Sequence, residues 1–388
     1  MAPAPGIAGD GGARWGQSLP ANNGKDDTMA QIDQFLKVLV EQGGSDLHLT
    51  TGSPPVMRVH GSMQRLKFRE LTPKDMETLV YEIMEEDWRM RFLETKDFDF
   101  AYEIAGLARF RVNVFWQRKG LGAVLRTIPS EILTADQLGL PEVIRKLCML
   151  SKGLVLVTGP TGSGKSTTLA AMVDLINDTR KDHVLTIEDP IEFTHPNKEC
   201  LVNQREIGTN TQSFASALRA ALREDPDVIL VGEMRDRETI ELGITAAETG
   251  HLVFGTLHTN SAPKTVDRII DVFPAEEQEQ IRSMLAESLK GVISQVLMRK
   301  KGGKGRVAAQ EIMVGTSAVS NLIRENKIHQ IPSIIQTGKK DGMQLLDQHV
   351  MEHLMSGAVS PQEAYMKANN KEPFTKYLEE EPEEVEFV

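Results

Sequence analysis

Three observations predict an α/β fold for most of this chain. Strand-like apolar runs alternate with helical periods from Gly153 to about Thr259, the pattern of a mainly parallel sheet covered by helices. The first of those runs, LVLV at 154–157, feeds directly into the glycine-rich segment GPTGSGKSTT at 159–168, so that a strand, a turn and a helix start follow one another. Ahead of it, about a hundred residues interleave helical periods with short alternating runs, which predicts a separate and smaller α+β domain. Together these give a RecA-like P-loop NTPase core preceded by a smaller α+β domain.

Composition sets outer bounds. With 388 residues, 40% hydrophobic and 26% charged, the chain has the balance of a soluble globular protein and the length for two domains. A net charge of −11 argues against a protein whose main task is wrapping nucleic acid. No apolar stretch approaches the ~18 residues needed to span a bilayer, and no signal peptide opens the chain, so a cytoplasmic location is expected. Cys148 and Cys200 are the only cysteines, too few for a disulfide framework or a four-cysteine zinc site.

Residues 1–28 are rich in Gly, Ala, Pro and Asn and read as a disordered leader. Folded structure is expected from Met29, in a domain over 29–130. Ile32, Phe35, Leu36, Leu39 and Val40 are helical in spacing and stop at Gly43-Gly44. Short alternating runs follow from Asp46 to Leu66, with Gly61-Ser62 as a hairpin turn. One helix is then expected from about Pro73 to Leu93, followed by the strands DFDFAYEI, ARFRVNVFWQ and GAVLRTI. In the second of these, Phe110, Val112, Val114 and Trp116 share one face and Arg109, Arg111 and Asn113 the other.

Residues 129–140 lack periodicity and mark an interdomain linker, so the core with its C-terminal helices is assigned to 131–372. The P-loop strand leads to a helix through Ile176. HVLTIEDP, DVILVGE and HLVFGTLHT are further strands, with helices at Phe214 to Arg223 and Asp236 to Thr249 between them. Apolar residues from Ile281 to Leu297 predict a long amphipathic helix, and KKGGKGR at 300–306 a basic loop. Helices resume at Ala318 to Glu325 and Leu345 to Met355, and 373–388 form a solvated acidic tail.

The segment at 159–168 fills the pattern G-x-x-x-x-G-K-[ST] with Gly159, Gly164, Lys165 and Ser166. Glycines let backbone N–H groups close around a phosphate, and the following helix turns its positive end toward it. Thr161, Gly162, Ser163 and Thr167 complete the expected nucleotide cradle. Lys165 would reach the β/γ-phosphates, and Ser166 would hold Mg²⁺. ATP and Mg²⁺ are therefore the expected ligands.

Hydrolysis also needs carboxylates to hold the metal and orient water, and a cation to stabilise the leaving phosphate. TIEDPIEF leaves Glu188, Asp189 and Glu192 at the C-terminal edge of a strand, where open α/β sheets place ligands. Glu192 is the candidate general base. Glu233 ends an apolar strand in the manner of a Walker B acid and would serve Mg²⁺ directly or through water, although Gly232 stands where an Asp is usual. His251 and His258 flank a strand. His258 precedes a Thr/Asn/Ser cluster and is the candidate γ-phosphate sensor. Candidate cations are Arg111 and Arg126 in the N-terminal domain and Arg219, Arg223, Arg235 and Arg237 in the core.

GPTGSGKSTT, TIEDPIEF, ALREDPDVILVGEMRD and TAAETGHLVFGTLHTNSA, in this order, resemble the Walker A, Asp box, Walker B and His box of the type II/IV secretion ATPase superfamily. Within it, the absence of a four-cysteine module and the stretch SAVSNLIRE at 317–325 resemble the branch that drives type IV pilus retraction. This stretch departs from that branch at Val319 and Ser320, where Ile and Arg are usual. The resemblance implies a PAS-like N-terminal domain, a homohexameric ring with nucleotide between the two domains, and Arg111 and Arg126 as arginine fingers. It also implies Glu192 as water activator, Glu233 as Mg²⁺ acid and His258 as γ-phosphate reader, with Gly232 usual at its place. Implied partners are an inner-membrane pilus platform protein, through which alone it meets the membrane, and a paralogous retraction ATPase. Alternatives are a pilus assembly or type II secretion ATPase of the same superfamily, or a RecA-like nucleic-acid translocase.

Overall fold

The computed structural model describes residues 30–59, 62–128, 132–303 and 305–378. The expected leader, the Gly61 turn position and the acidic run from 379 lie outside the described residues. The chain divides into two compact units, one up to residue 130 and one from residue 131.

The first unit is built from helices α1 (Ile32–Glu41), α2 (Pro73–Tyr81) and α3 (Glu86–Thr95). Its strands are β1 (Gly44–Thr50), β2 (Val56–Val59), β3 (Ser62–Arg65), β4 (Asp97–Ile104), β5 (Ala108–Gln117) and β6 (Gly120–Ile128). The strands form one sheet in the order β3-β2-β1-β6-β5-β4, and every neighbouring pair is antiparallel. One face of the sheet is covered by helices. Ile32, Phe35, Leu36 and Leu39 of α1 and Met76, Leu79 and Val80 of α2 share a buried cluster with Leu47, Leu49, Phe110, Val112, Val114 and Leu125. Trp116 continues the apolar register of β5 but remains 41% exposed at the strand end, its ring stacked on Phe92.

The single helix expected over 73–93 is two helices, because residues 82–85 turn the chain and bury Ile83 and Met84. Arg89 reaches back from α3 and donates from Nε to the Met84 carbonyl at 2.9 Å and from Nη2 to the Tyr81 carbonyl. A side chain thereby satisfies carbonyls that a broken helix leaves open. The start of α2 is a reciprocal cap. Thr72 Oγ1 accepts from Asp75 N at 3.2 Å, and Asp75 Oδ2 accepts from Thr72 N at 2.8 Å, while Arg69 Nη2 donates to Asp75 Oδ1 at 2.8 Å.

The second unit opens with α4 (Glu142–Cys148), β7 (Gly153–Thr158), α5 (Lys165–Thr179), β8 (His183–Glu188), β9 (Leu201–Glu206), α6 (Phe214–Ala221) and β10 (Val228–Val231). It continues through α7 (Arg237–Thr249), β11 (Leu252–Leu257), α8 (Ala262–Asp271), α9 (Gln278–Ser288), β12 (Leu289–Arg299) and β13 (Arg306–Val314). The helices α10 (Ser317–Arg324), α11 (Ile331–Thr337), α12 (Leu346–Met355), α13 (Pro361–Lys367) and α14 (Glu372–Thr375) complete it. The sheet runs β13-β12-β7-β11-β10-β8-β9, parallel throughout except for the β12–β13 hairpin. Helices on both faces explain the unbroken apolar runs. Along β7, Leu154 and Leu156 enter one buried cluster, and Val155 and Val157 the other.

The long helix expected over 281–297 stops at Ser288, and Leu289 to Arg299 form β12 alongside β7. Adjacent Val292 and Ile293 are buried on opposite faces of the sheet. A mixed apolar run of this kind fits either period until the neighbouring strand is known. Strands β9 and β13 are further additions to the expected set. The stretch taken as a linker is fixed from Thr134 onward, with Ala135 and Leu140 buried against α4 and α5. The stretch taken as a tail begins later than residue 373, since Phe374 is buried among Val350, Val359 and Ala364. In α10, Val319 and Ile323 are buried and Ser320 Oγ donates to the Ala286 carbonyl at 2.6 Å.

Asp75→Ala should cost about 1–2 kcal/mol of stability through the lost cap, read as a lowered urea midpoint. The Arg69 guanidinium beside Asp75 holds its carboxyl far below the usual range against the opposing effect of burial. This stabilisation is complete above the ordinary carboxylate pKa and is lost as pH falls through the depressed one.

Candidate active site

Between β7 and α5 the chain turns through Gly159, Gly162 and Gly164, all at positive φ. At Gly159 (φ +143) a Cβ would collide with the Gln295 carbonyl oxygen, so this position tolerates only glycine. Gln295, on β12, holds the turn from below. Its Nε2 donates to the Ser163 carbonyl at 2.7 Å, and its Oε1 accepts from Thr168 Oγ1 at 3.0 Å. Beside it, Thr158 and Ser294 hydroxyls lie 2.6 Å apart. No side chain caps α5, whose N-cap is Gly164. The first turn of the helix therefore presents its backbone N–H groups and the positive end of its dipole to the loop. Lys165 Nζ donates to the Gly159 and Pro160 carbonyls at 3.0 and 3.2 Å. Burial pushes its ammonium pKa down, opposed by Glu233 and Glu192.

A cleft of about 650 Å³ opens over this loop, lined by Thr161, Gly162 and Gly164 to Thr167. The C-terminal ends of β8, β10 and β11 deliver Glu188, Asp189, Glu192, Glu233 and His258 to its wall, and Arg235 and Arg306 also line it. Glu188, which ends β8, and Glu192 have different environments. Glu188 accepts from Thr186 Oγ1 at 2.7 Å, Gln204 Nε2 at 3.2 Å and Glu192 N at 3.4 Å, and burial raises its pKa. It braces the 188–192 turn. Glu192 is exposed to the cleft, and among the described residues its carboxylate accepts no hydrogen bond and forms no ion pair. Its carboxylate is therefore able to meet a substrate or water.

Glu233 Oε1 lies 2.9 Å from His258 Nε2 and also pairs with Arg235 Nε. A Cβ on Gly232 would sit 3.1 Å from the Ile187 carbonyl oxygen and 3.3 Å from Glu188 Cα. A side chain here would press on the backbone of the neighbouring strand β8, a close approach that glycine accommodates without adjustment. Ser166 and Glu233 offer a hydroxyl and a carboxylate, oxygen donors suited to Mg²⁺, which keeps several waters and phosphate oxygens.

The other candidates are distributed by the fold. His251 immediately precedes β11, at the opposite end from His258, and its Nδ1 lies 3.0 Å from the Ala246 carbonyl. Arg237 Nη2 donates to both Glu277 oxygens at 2.8 and 2.7 Å, and Arg219 pairs with Glu238. Arg223 is exposed beyond α6. Arg111 and Arg126 belong to the first unit, opposite one another on β5 and β6. Arg126 Nε donates to Asp46 Oδ1 at 2.7 Å, and Arg111 Nε lies 3.8 Å from Asp99. Sequence reasoning missed Gln295, by placing it on a helix, and the cleft position of Arg306. The β-branched residues at 292, 293 and 296 were the available signal for a strand.

The sequence profile of the family described as type II/IV secretion system protein matches residues 22–371. The chain is 57% identical to the type IV pilus retraction ATPase PilT of Pseudomonas aeruginosa, over 88% of this chain and 99% of that protein. It is 54% identical to the twitching motility protein of Neisseria gonorrhoeae, over 82% of this chain and 85% of that one. A crystal structure of the pilus retraction motor PilT with bound ADP superposes with a TM-score of 0.83 at 48% identity, covering 89% of this chain and 98% of that one.

Gln295→Ala removes the ties to Ser163 and Thr168 while leaving their polar groups buried. A loss of about 2–3 kcal/mol is expected, measured by denaturant unfolding, together with weaker nucleotide binding.

Proposed function

The chain belongs to the type II/IV secretion system protein family, and from this premise we propose that it is an ATP hydrolase motor driving type IV pilus retraction. The observation that carries the chemistry is the convergence of Lys165, Glu192 and the Glu233–His258 pair on one cleft above the P-loop. The likeness to PilT along nearly its whole length supports the retraction role.

Loop amides from Thr161 to Thr167 and the Lys165 ammonium bind the phosphates and orient the γ-phosphoryl group. Ser166 and Glu233 would hold Mg²⁺, which when bound neutralises charge on the β- and γ-phosphates. Glu192 accepts a proton from the attacking water and aims it. His258, braced by Glu233, reads the presence of the γ-phosphate and passes it to the loop that starts α8. Arg111 and Arg126 supply the cation that stabilises the transition state, which makes turnover depend on assembly. The working form is a homohexamer at the cytoplasmic side of the inner-membrane pilus base. There it turns a platform protein so that pilin subunits leave the fibre, alongside a paralogous retraction ATPase. Among the described residues no helix is long and apolar enough to cross a membrane.

Glu192→Ala is expected to lower kcat by about 10²- to 10⁴-fold with ATP binding retained, whereas Lys165→Ala should abolish binding, both checked by phosphate release and nucleotide titration. Deleting the gene should leave cells piliated but unable to twitch. Bald cells would identify an assembly motor instead.

A further inference from the structure

The sheet of the first unit carries a row of charges across four strands. Register places Arg58 on β2 opposite Asp46 on β1, Asp46 opposite Arg126 on β6, and Arg126 opposite Arg111 on β5. Directly opposed residues project from the same face of a sheet, so one carboxylate stands among three guanidiniums. Asp46 is 4% exposed. Its Oδ2 accepts from Ser45 Oγ at 2.8 Å and lies 3.7 Å from Arg58 Nε, which fixes the carboxylate plane. Its Oδ1 accepts from Arg126 Nε at 2.7 Å.

The choice of nitrogen is the informative detail. Arg126 spends its inner Nε–H on Asp46, and its side chain is 67% exposed. Among the described residues both terminal nitrogens are without a hydrogen-bond partner, and these form the fork that grips a phosphate bidentately. A guanidinium anchored at Nε by a buried acid has lost rotamer freedom before any ligand arrives. Arg111 lacks such an anchor, since its nearest acid, Asp99, is itself exposed and 3.8 Å away. Without a carboxylate in the row, Arg126 would face Arg111 as a like charge in register, and the pair would splay.

We propose that Asp46 is a positioning residue that aims the outer fork of Arg126 at the phosphate, so that Arg126 is the preorganised cation and Arg111 the adaptable one. The proposal rests on the reading of Arg126 as a transition-state cation. It assigns to Asp46 no contact with the nucleotide.

The test is steady-state ATPase kinetics on the full-length chain carrying Asp46→Ala, Arg126→Ala or both. Asp46→Ala should lower kcat by about 10-fold or more with KM for ATP within about twofold, and should cost little further in the Arg126→Ala background. Asp46→Asn keeps an acceptor for Nε and should recover most of the rate. Asp46→Glu keeps the charge but displaces the guanidinium, and should lose rate at an unchanged melting temperature. It decides the matter where Asp46→Ala does not fold. Full-rate Asp46→Ala or Asp46→Glu, or losses that multiply in the double variant, would overturn the inference. If Arg126→Ala itself turns over normally, the reading of Arg126 fails and the proposal about Asp46 falls with it.

Discussion

The P-loop can close because β12 lies directly beneath it. Gly159 passes so near the Gln295 carbonyl that no side chain fits there, and the Gln295 amide group ties the loop at Ser163 and the first turn of α5 at Thr168. These bonds are buried together with the Thr158–Ser294 hydroxyl pair, away from water, where an unmade partner costs more than the bond contributes. The turn is therefore held open toward the cleft, braced further by the Ser163 N–H, which donates to the Pro160 carbonyl at 3.1 Å. Lys165, the cleft and the orientation of α5 all follow from this seam between β7 and β12.

Around the loop, burial separates acids that are equivalent as residue types. Glu188 is consumed by Thr186, Gln204 and the Glu192 amide, which leaves the exposed Glu192 on a braced turn. Glu233 is shared by His258 and Arg235. These two contacts fix its carboxylate in place on the cleft wall. Glycine at 232 lets β8 and β10 approach closely enough to bring these two acidic walls together.

The first unit uses charge differently. Its helices cover one face of the sheet, and the opposite face carries Arg58, Asp46, Arg126 and Arg111 in register. In a chain with net charge −11, this is a local cationic row held by one buried acid.

By itself the sequence determined the RecA-like core, the smaller α+β unit and the P-loop. Buried parallel strands read as continuous apolar runs, and a phosphate loop is specified by residues a few positions apart. It also placed Glu192, Glu233 and His258 at one edge of the sheet, where they line the same cleft, because strand ends in such sheets lie together. Tertiary structure alone decided that 289–299 is a strand, that Gln295 braces Ser163, and that Arg237 and Arg219 are paired away while Arg235 and Arg306 line the cleft. It also split the helix over 73–93 and anchored Phe374. Each of these depends on which distant segment lies alongside: Gln295 meets Ser163 across 132 residues of chain, and no local period or spacing encodes such a neighbour.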